Sequence, residues 1–339
     1  MRIALDAMGS DTHPEPEIGA AIEAARTWGD TILLTGPQDL LKPKLDAQGI
    51  PRSMIEVIHA PEVLEMTDKP AEAARGKSMN SMAVGMDLVK TKEADVFVTA
   101  GNTGGAMANA IFRLGRIRGV KRPGLAITIP VYGGQTTVVD IGANVDCKPS
   151  FLVQFAIMGS IYVEKMLELQ SPRVGLLSNG EEAGKGNALV KDTYPLLESA
   201  GVNFIGNVEP KEIFTGEVDV VVTDGFSGNV LVKTTESVAA LLTDIIRDEI
   251  MASLISSIGG WLSKPAFRRV GRMLDPSEHG AAPFLGIDGL VFVGHGRYKS
   301  KGLISSIRVA RQAVSSELLE AMREAIQTRL ENLNIKDAS

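Results

Sequence analysis

Short runs of Val, Ile and Leu repeatedly lead into loops of Gly, Asn, Asp and Ser, and those loops into helical stretches. No other feature restricts the possible fold as strongly. Arg2–Leu5 leads into Asp6-Ala7-Met8-Gly9-Ser10-Asp11, Ala94–Ala100 into Gly101-Asn102-Thr103-Gly104-Gly105, and Thr136–Ile141 into Gly142-Ala143-Asn144-Val145-Asp146. Val174–Leu177, Val218–Thr223 and Leu290–Val293 behave alike, ending in Ser178-Asn179-Gly180, Asp224-Gly225-Phe226-Ser227-Gly228-Asn229 and Gly294-His295-Gly296. Continuous apolar strands alternating with helices call for a mainly parallel sheet covered on both faces. The fold class is therefore α/β, three-layer αβα with a large mainly parallel sheet. The loops after the strands are expected to meet at one sheet edge, where open α/β folds bind ligands. No linker or fixed-period repeat divides the 339 residues, so 1–339 reads as one large unit with two lobes.

Composition narrows the function. The 35 basic and 41 acidic residues leave a net charge of −6, which argues against a nucleic-acid partner. One cysteine, Cys147, precludes an intrachain disulfide and any cysteine-cluster metal site. No window of ~18 apolar residues suggests a membrane span. The N-terminus enters a strand at once, without a signal-peptide core, so a cytoplasmic location is expected.

One segment, 237–272, breaks the rhythm. Val238, Leu241, Leu242, Ile245, Ile246 and Ile250 follow helical spacing, and Gly259-Gly260 should end or kink the helix. The result is a helix-turn-helix excursion with an apolar tip (Ile258, Trp261, Leu262) and a basic flank (Lys264, Arg268, Arg269, Arg272). Its apolar face either packs at home or in a dimer, or touches an anionic membrane surface.

Familiar chemistries are missing. There is no G-x-G-x-x-G after a strand, no G-x-S-x-G elbow and no H-E-x-x-H, and Ala71–Ser78 resembles a P-loop without its glycines or preceding strand. No metal or other cofactor is expected. The strand-end loops instead suit an oxyanion, because glycines admit backbone N–H groups closely and a helix opening at Gly101–Gly105 adds its positive end. Asn102, Thr103, Gly104, Asn144 and Asn187 are candidate cradle residues. Lys185, flanked by Gly184 and Gly186, could supply full charge or be a solvated loop lysine.

Taken in order, Asp6-Ala7-Met8-Gly9, Ala100–Gly105, Asp140–Asp146, Lys185-Gly186-Asn187, Gly206-Asn207-Val208-Glu209, Asp224–Asn229 and Gly294-His295-Gly296 resemble the bacterial phosphate acyltransferase (PlsX) family. The resemblance runs from Met1 to about residue 320. It implies a fold like the isocitrate/isopropylmalate dehydrogenases and phosphotransacetylase, a homodimer, and peripheral contact with the membrane. It also implies transfer of an acyl group from acyl carrier protein to inorganic phosphate, feeding phospholipid synthesis and, downstream, a membrane glycerol-3-phosphate acyltransferase. Carried over by motif, Lys185 and Asn229 are the expected catalytic residues, with Gly9, Gly228 and His295 at the substrate loops. Asp6, Asp140, Asp146 and Asp224 would repel phosphate, so they are expected behind the site, fixing lysine and loop N–H positions.

Three places depart from the family pattern: Ser10 replaces a second glycine, Arg297-Tyr298-Lys299 replaces small serines, and Asn80 replaces a serine. Arg113, Arg116, Arg118, Lys121 and Arg122 form a stretch without an acidic residue, either a solvated face or a docking patch for the acidic carrier. The competing readings are a phosphate acetyltransferase using coenzyme A thioesters, a decarboxylating dehydrogenase, and a non-catalytic membrane-recruited scaffold.

Overall fold

The computed structural model describes residues 1–49, 51 and 54–333. Eleven strands form one sheet: β1 (Arg2–Asp6), β2 (Thr31–Gly36), β3 (Ile55–His59), β4 (Val96–Thr99), β5 (Gly124–Val131), β6 (Gly134–Val139), β7 (Arg173–Leu177), β8 (Asn203–Val208), β9 (Val220–Val222), β10 (Ala282–Leu285) and β11 (Val291–Val293). Their order is β3-β2-β1-β4-β11-β10-β5-β6-β9-β7-β8. Pairing is parallel except at β11–β10, β10–β5 and β5–β6. This is the three-layer, mainly parallel α/β fold expected.

The three antiparallel pairings change where the loops go. Strands β3, β2, β1, β4 and β11 run one way, while β6, β9, β7 and β8 run the other. The single loop-bearing edge expected from the rhythm therefore does not form. The Gly9, Gly101 and Gly294 loops leave one end of the sheet, and the Gly142, Asp224 and Ser178 loops leave the other. The strand rhythm carries no record of direction; β10 and β5, each antiparallel to both of its neighbours, reverse it.

The packing also divides the two faces differently. On one face, the helices Glu15–Trp28, Pro149–Met166 and Ser300–Ser315 cover a continuous core that runs from Ile3 and Ile32 to Val174 and Val220. On the other face there are two separate cores. One, around Phe97, Met82 and Phe284, lies under the helices Ser81–Lys90 and Thr103–Arg113. The other, around Val138, Val208 and Ile213, lies on the far lobe, with Ile141 touching both. Between them β10 and β5 pair only at Phe284–Leu125 and Leu285–Gly124 and then part, so a cleft opens along the seam.

The excursion is a hairpin of two helices, Gly225–Met251 and Leu254–Leu274. It begins twelve residues earlier than the pattern suggests, because Asp224 caps the first helix at the sheet itself. The turn falls at Ala252-Ser253, where Ser253 caps the second helix, and not at Gly259-Gly260. The glycine pair lies inside that helix. A Cβ on Gly260 would sit 2.3 Å from Ile250 Cγ2, so Gly260 serves close helix approach and not a break. Leu254–Leu274 buries none of its residues within this chain.

The Gly9-Ser10 turn is held from beneath by a buried carboxyl. Glu17 accepts from the Ser10 N–H at 2.8 Å and is fully buried. Burial pushes its pKa from 4.5 up to about 7; the Ser10 hydrogen bonds oppose that rise and the nearby Asp6 charge adds to it. Because the folded value exceeds the unfolded one, Glu17's stabilising contribution is complete below pH ~4.5 and is lost as pH rises through about 7. In urea unfolding between pH 4.5 and 8, Glu17→Gln should flatten part of that fall, of order ~1–3 kcal/mol; an unaltered slope would mean that Glu17 does not bind the proton. In the hairpin, Gly259→Ala, which meets nothing within 4 Å, should slow amide exchange across 254–262 by up to ~1 kcal/mol of added helix stability. Gly260→Val should speed it by forcing the helices apart.

Candidate active site

The cleft between the lobes has a volume of about 1150 Å³ and mostly apolar walls, including Met66, Met107, Ile111, Phe112, Ile127 and Ile129. Polar groups from both ends of the sheet reach it. Gly101, Asn102, Thr103, Gly104, Gly294 and His295 come from one side, and Gly142, Ala143 and Asn229 from the other. A second cavity of about 1800 Å³ lies against the other side of the first hairpin helix, lined by Ser178, Asn179, Gly186, Asn187, Asp224 and the hairpin's apolar residues. The candidate residues are thus split between two cavities. Asn229, Asn102, Thr103, Gly104 and His295 share one, and Asn187 lines the other. Lys185, on an exposed loop, lines neither.

Three of the loops are fixed by a carboxylate at the strand end. Asp140, fully buried after β6, accepts from the N–H groups of Leu125 (3.1 Å), Gly142 (3.1 Å), Ala143 (2.9 Å) and Asn144 (2.7 Å). Asp6 accepts from the Met8 N–H at 3.0 Å and the Thr99 hydroxyl at 2.7 Å. Desolvation raises the pKa of both, against the pull of these donors. Asp224 takes the N–H groups of Phe226 and Ser227. These three hold loop N–H groups, and none of them pairs with a lysine among the described residues. Asp146 is exposed and holds no loop N–H among the described residues.

The asparagines carry local structure first. Asn102 caps the helix Thr103–Arg113 by accepting from Gly105, while its amide donates to the Met66 carbonyl at 2.9 Å. Asn144 donates to the Pro123 carbonyl and to Asp140, and Asn187 caps the helix Ala188–Glu198. With Asn102 committed, the first N–H groups of the Thr103 helix, those of Thr103 and Gly104, are the open donors at that end among the described residues. Asn229 Nδ2 donates to the Ile141 carbonyl at 3.0 Å. Gly142, at φ +140, leaves room for that amide, since a Cβ there would sit 2.9 Å from Nδ2. Gly228 is needed where the helix crosses the Asp140 carbonyl; a Cβ would lie 2.0 Å from that oxygen. Gly9 likewise packs against the N–H groups of Ala100 and Gly101, 2.9 Å from a Cβ.

The departures from the family pattern have structural roles. Asn80 is a buried N-cap, accepting from Ala83. Ser10 keeps an ordinary negative φ, so the missing glycine costs no strain. The Tyr298 hydroxyl lies 2.8 Å from the Pro276 carbonyl and 2.9 Å from that of Gly280, tying the hairpin's exit to the His295 loop. Cys147 is half-buried, and burial pushes its thiol up to about 12, a poor start for an acyl-cysteine intermediate. In the basic stretch, Arg113 pairs with Asp87 at 2.9 Å, Arg116 donates to the Lys121 carbonyl, and Arg122 lies over Phe151. Arg116, Arg118 and Arg122 are exposed. Two residues that the motifs do not mark emerge: Glu17 beneath the Gly9 loop, and Lys233, which lines the cleft one helical turn after Asn229. A helix period counted from Asn229 would have found the second.

A family model described as fatty acid synthesis protein matches residues 1–321. The phosphate acyltransferase of Pelotomaculum thermopropionicum is 43% identical over 328 residues, covering 97% of this chain and 96% of that protein. The phosphate acyltransferase of Acidobacterium capsulatum is 46% identical over 312 residues, with coverage of 91% and 92%. Among solved structures, the EutD phosphotransacetylase of Staphylococcus aureus superposes with a TM-score of 0.58 at 16% identity, covering 92% of this chain and 94% of its own. A branched-chain phosphotransacylase of Enterococcus faecalis gives 0.59 at 14%, covering 93% and 100%. Those two speak for the fold alone. The match over nearly the whole chain and the identity to curated relatives place this chain in the fatty acid synthesis protein family, a family of acyltransferase enzymes.

Proposed function

We propose that the chain transfers a fatty acyl group from acyl carrier protein to inorganic phosphate, with bound phosphate attacking the thioester directly. The observation that carries this reading is the cleft itself: about 1150 Å³ with mostly apolar walls, and with an open helix N-terminus and Asn229 lining the same space. Hydrogen phosphate is already nucleophilic, so no serine or cysteine relay is required; the site has to hold it in line with the carbonyl and stabilise the developing oxyanion. A phosphate oxygen forms the new C–O bond, the C–S bond breaks toward sulfur, and the phosphate's proton passes to the thiolate. Acyl phosphate and free carrier thiol result. Asn229 polarises the carbonyl or orients phosphate. His295, at the cleft mouth, donates to the leaving thiolate or to phosphate. Lys185 carries transition-state charge; since it lines neither cavity, this role requires its loop to close toward Asn229. The exposed Arg116, Arg118 and Arg122 suit the acidic carrier.

The hairpin gives this reading a location. Leu241, Leu242, Ile245 and Ile246 on the stem, and Ile258, Trp261 and Leu262 near the tip, are all exposed in the single chain. We assign the stem to a homodimer and the tip, beside Lys264, Arg268, Arg269 and Arg272, to an anionic membrane surface, where a membrane glycerol-3-phosphate acyltransferase would take up the product. No helix among the described residues is long and apolar enough to cross a membrane.

Mixing long-chain acyl carrier protein, phosphate and the purified chain should release free carrier thiol in proportion to phosphate, without NAD or added metal; no release sinks the proposal. Asn229→Ala and Lys185→Ala should each cut the rate by ~10²-fold or more with the fold intact by circular dichroism. Unchanged turnover would remove that residue from the mechanism. Ile258→Asp with Trp261→Asp should keep activity in solution and lose sedimentation with anionic vesicles, whereas retained sedimentation would assign the tip to protein packing.

A further inference from the structure

Two cations line the cleft among the described residues, Lys233 and Arg308. Arg308 is committed, its Nη2 donating to the Glu278 carbonyl at 2.7 Å. The Lys233 ammonium makes no hydrogen bond or ion pair among the described residues. Glu236 stands at the i+3 spacing that often pairs on helices, yet the two do not meet. An exposed helix lysine without a partner is usually just solvated. This one differs in where its helix face leads. Asn229 begins that face, tied to the Ile141 carbonyl at one end of the cleft. Glu236 is further along, close enough for its charge to act on Tyr298 beside the His295 loop at the other end. Lys233 lies between them, about 6 Å along the helix axis from Asn229.

The cleft needs such a charge. A phosphate dianion placed there faces the open helix end at Thr103 and Gly104, equivalent to about half a positive charge, and neutral amides. The carboxylates lining the cleft are Glu236 and Glu278, the latter held by Lys301 at 2.9 Å.

We propose that Lys233 is a further substrate-binding residue of the cleft, its ammonium holding inorganic phosphate between Asn229 and the N-terminus of the Thr103–Arg113 helix. The inference rests on the acyl-to-phosphate reading above and assigns the phosphate subsite within it. Lys233 pairs with the dianion before attack and with the acyl phosphate after it, while the proton that reaches the thiolate comes from hydrogen phosphate.

Lys233→Met keeps the aliphatic stem and removes the charge. It should raise the KM for inorganic phosphate by about tenfold to a hundredfold, the range expected for a lost charged hydrogen bond. The KM for the acyl carrier thioester should stay within about twofold. Lys233→Arg should recover most of the phosphate affinity, which a merely structural role would not require. Calorimetric titration of inorganic phosphate into the unreacted protein should weaken by the same factor. An unchanged phosphate KM in Lys233→Met, or a rise confined to the thioester KM, overturns the assignment. If the wild-type protein releases no thiol at all, the reaction reading fails. The phosphate titration, which needs no turnover, still decides whether Lys233 binds the anion.

Discussion

The carboxylate of Asp140 ties together the parts that meet at the seam of the sheet. It is fully buried and accepts three N–H groups of the loop after β6, those of Gly142, Ala143 and Asn144, and one from Leu125 at the start of β5. Its own carbonyl lies where a Cβ of residue 228 would fall, so the hairpin's first helix can cross only at a glycine. One residue thus sets the loop of one lobe, the strand beside the cleft, and the approach of the helix that carries Asn229. Burying such a carboxylate is costly in itself; its backbone donors are what make it tolerable.

From that fixed point the cleft follows. The core on one face is continuous and keeps the lobes together, whereas the opposite face has two cores that meet only around Ile141. The hairpin's first helix, with Leu231 against the far-lobe core, forms one wall of the gap between them, with β10 and β5 parting at its floor. The gap receives loops from both ends of the sheet because the strands of the two lobes run oppositely. A uniformly parallel sheet would put every loop on one edge and leave this space without polar groups at both ends.

The sequence carries much of this legibly, and the losses are physical. Arg2–Leu5, Val174–Leu177 and Leu290–Val293 are legible as strands because both of their faces are buried and their runs are unbroken. β10 and β5 are hidden because each includes a proline and each lies at the seam, where burial is uneven. With them go the strand directions, which depend on pairing and leave no mark in local pattern. Gly259-Gly260 misleads for a related reason: a glycine that breaks a helix and one that admits a neighbouring helix look alike until Ile250 is placed against it. The asparagines Asn102, Asn144 and Asn187 look like anion ligands by type, and each is first a cap or a loop tie, since the same donors and acceptors serve both uses.

The two lysines show how far motif reasoning reaches. Lys185 stands out because glycines flank it, and glycine-flanked loops are where backbone meets ligand. In the fold that loop belongs to the far side of the hairpin's first helix, beside the second cavity. Lys233 has no such flanks; by type and spacing it is one more charged residue on an amphipathic helix. What distinguishes it is three-dimensional: the helix it rides on has no neighbour on that face except a cleft, and the residue one turn before it is Asn229. A charge placed on a helix is held at a fixed rise and angle from its neighbours, whereas a charge on a glycine loop is held by whatever closes the loop. For an anion that must sit in line with a carbonyl, the rigid placement is worth more than the flexible one. Within the proposed reaction, that difference gives Lys233 the better claim to holding phosphate, since Lys185 lines neither cavity.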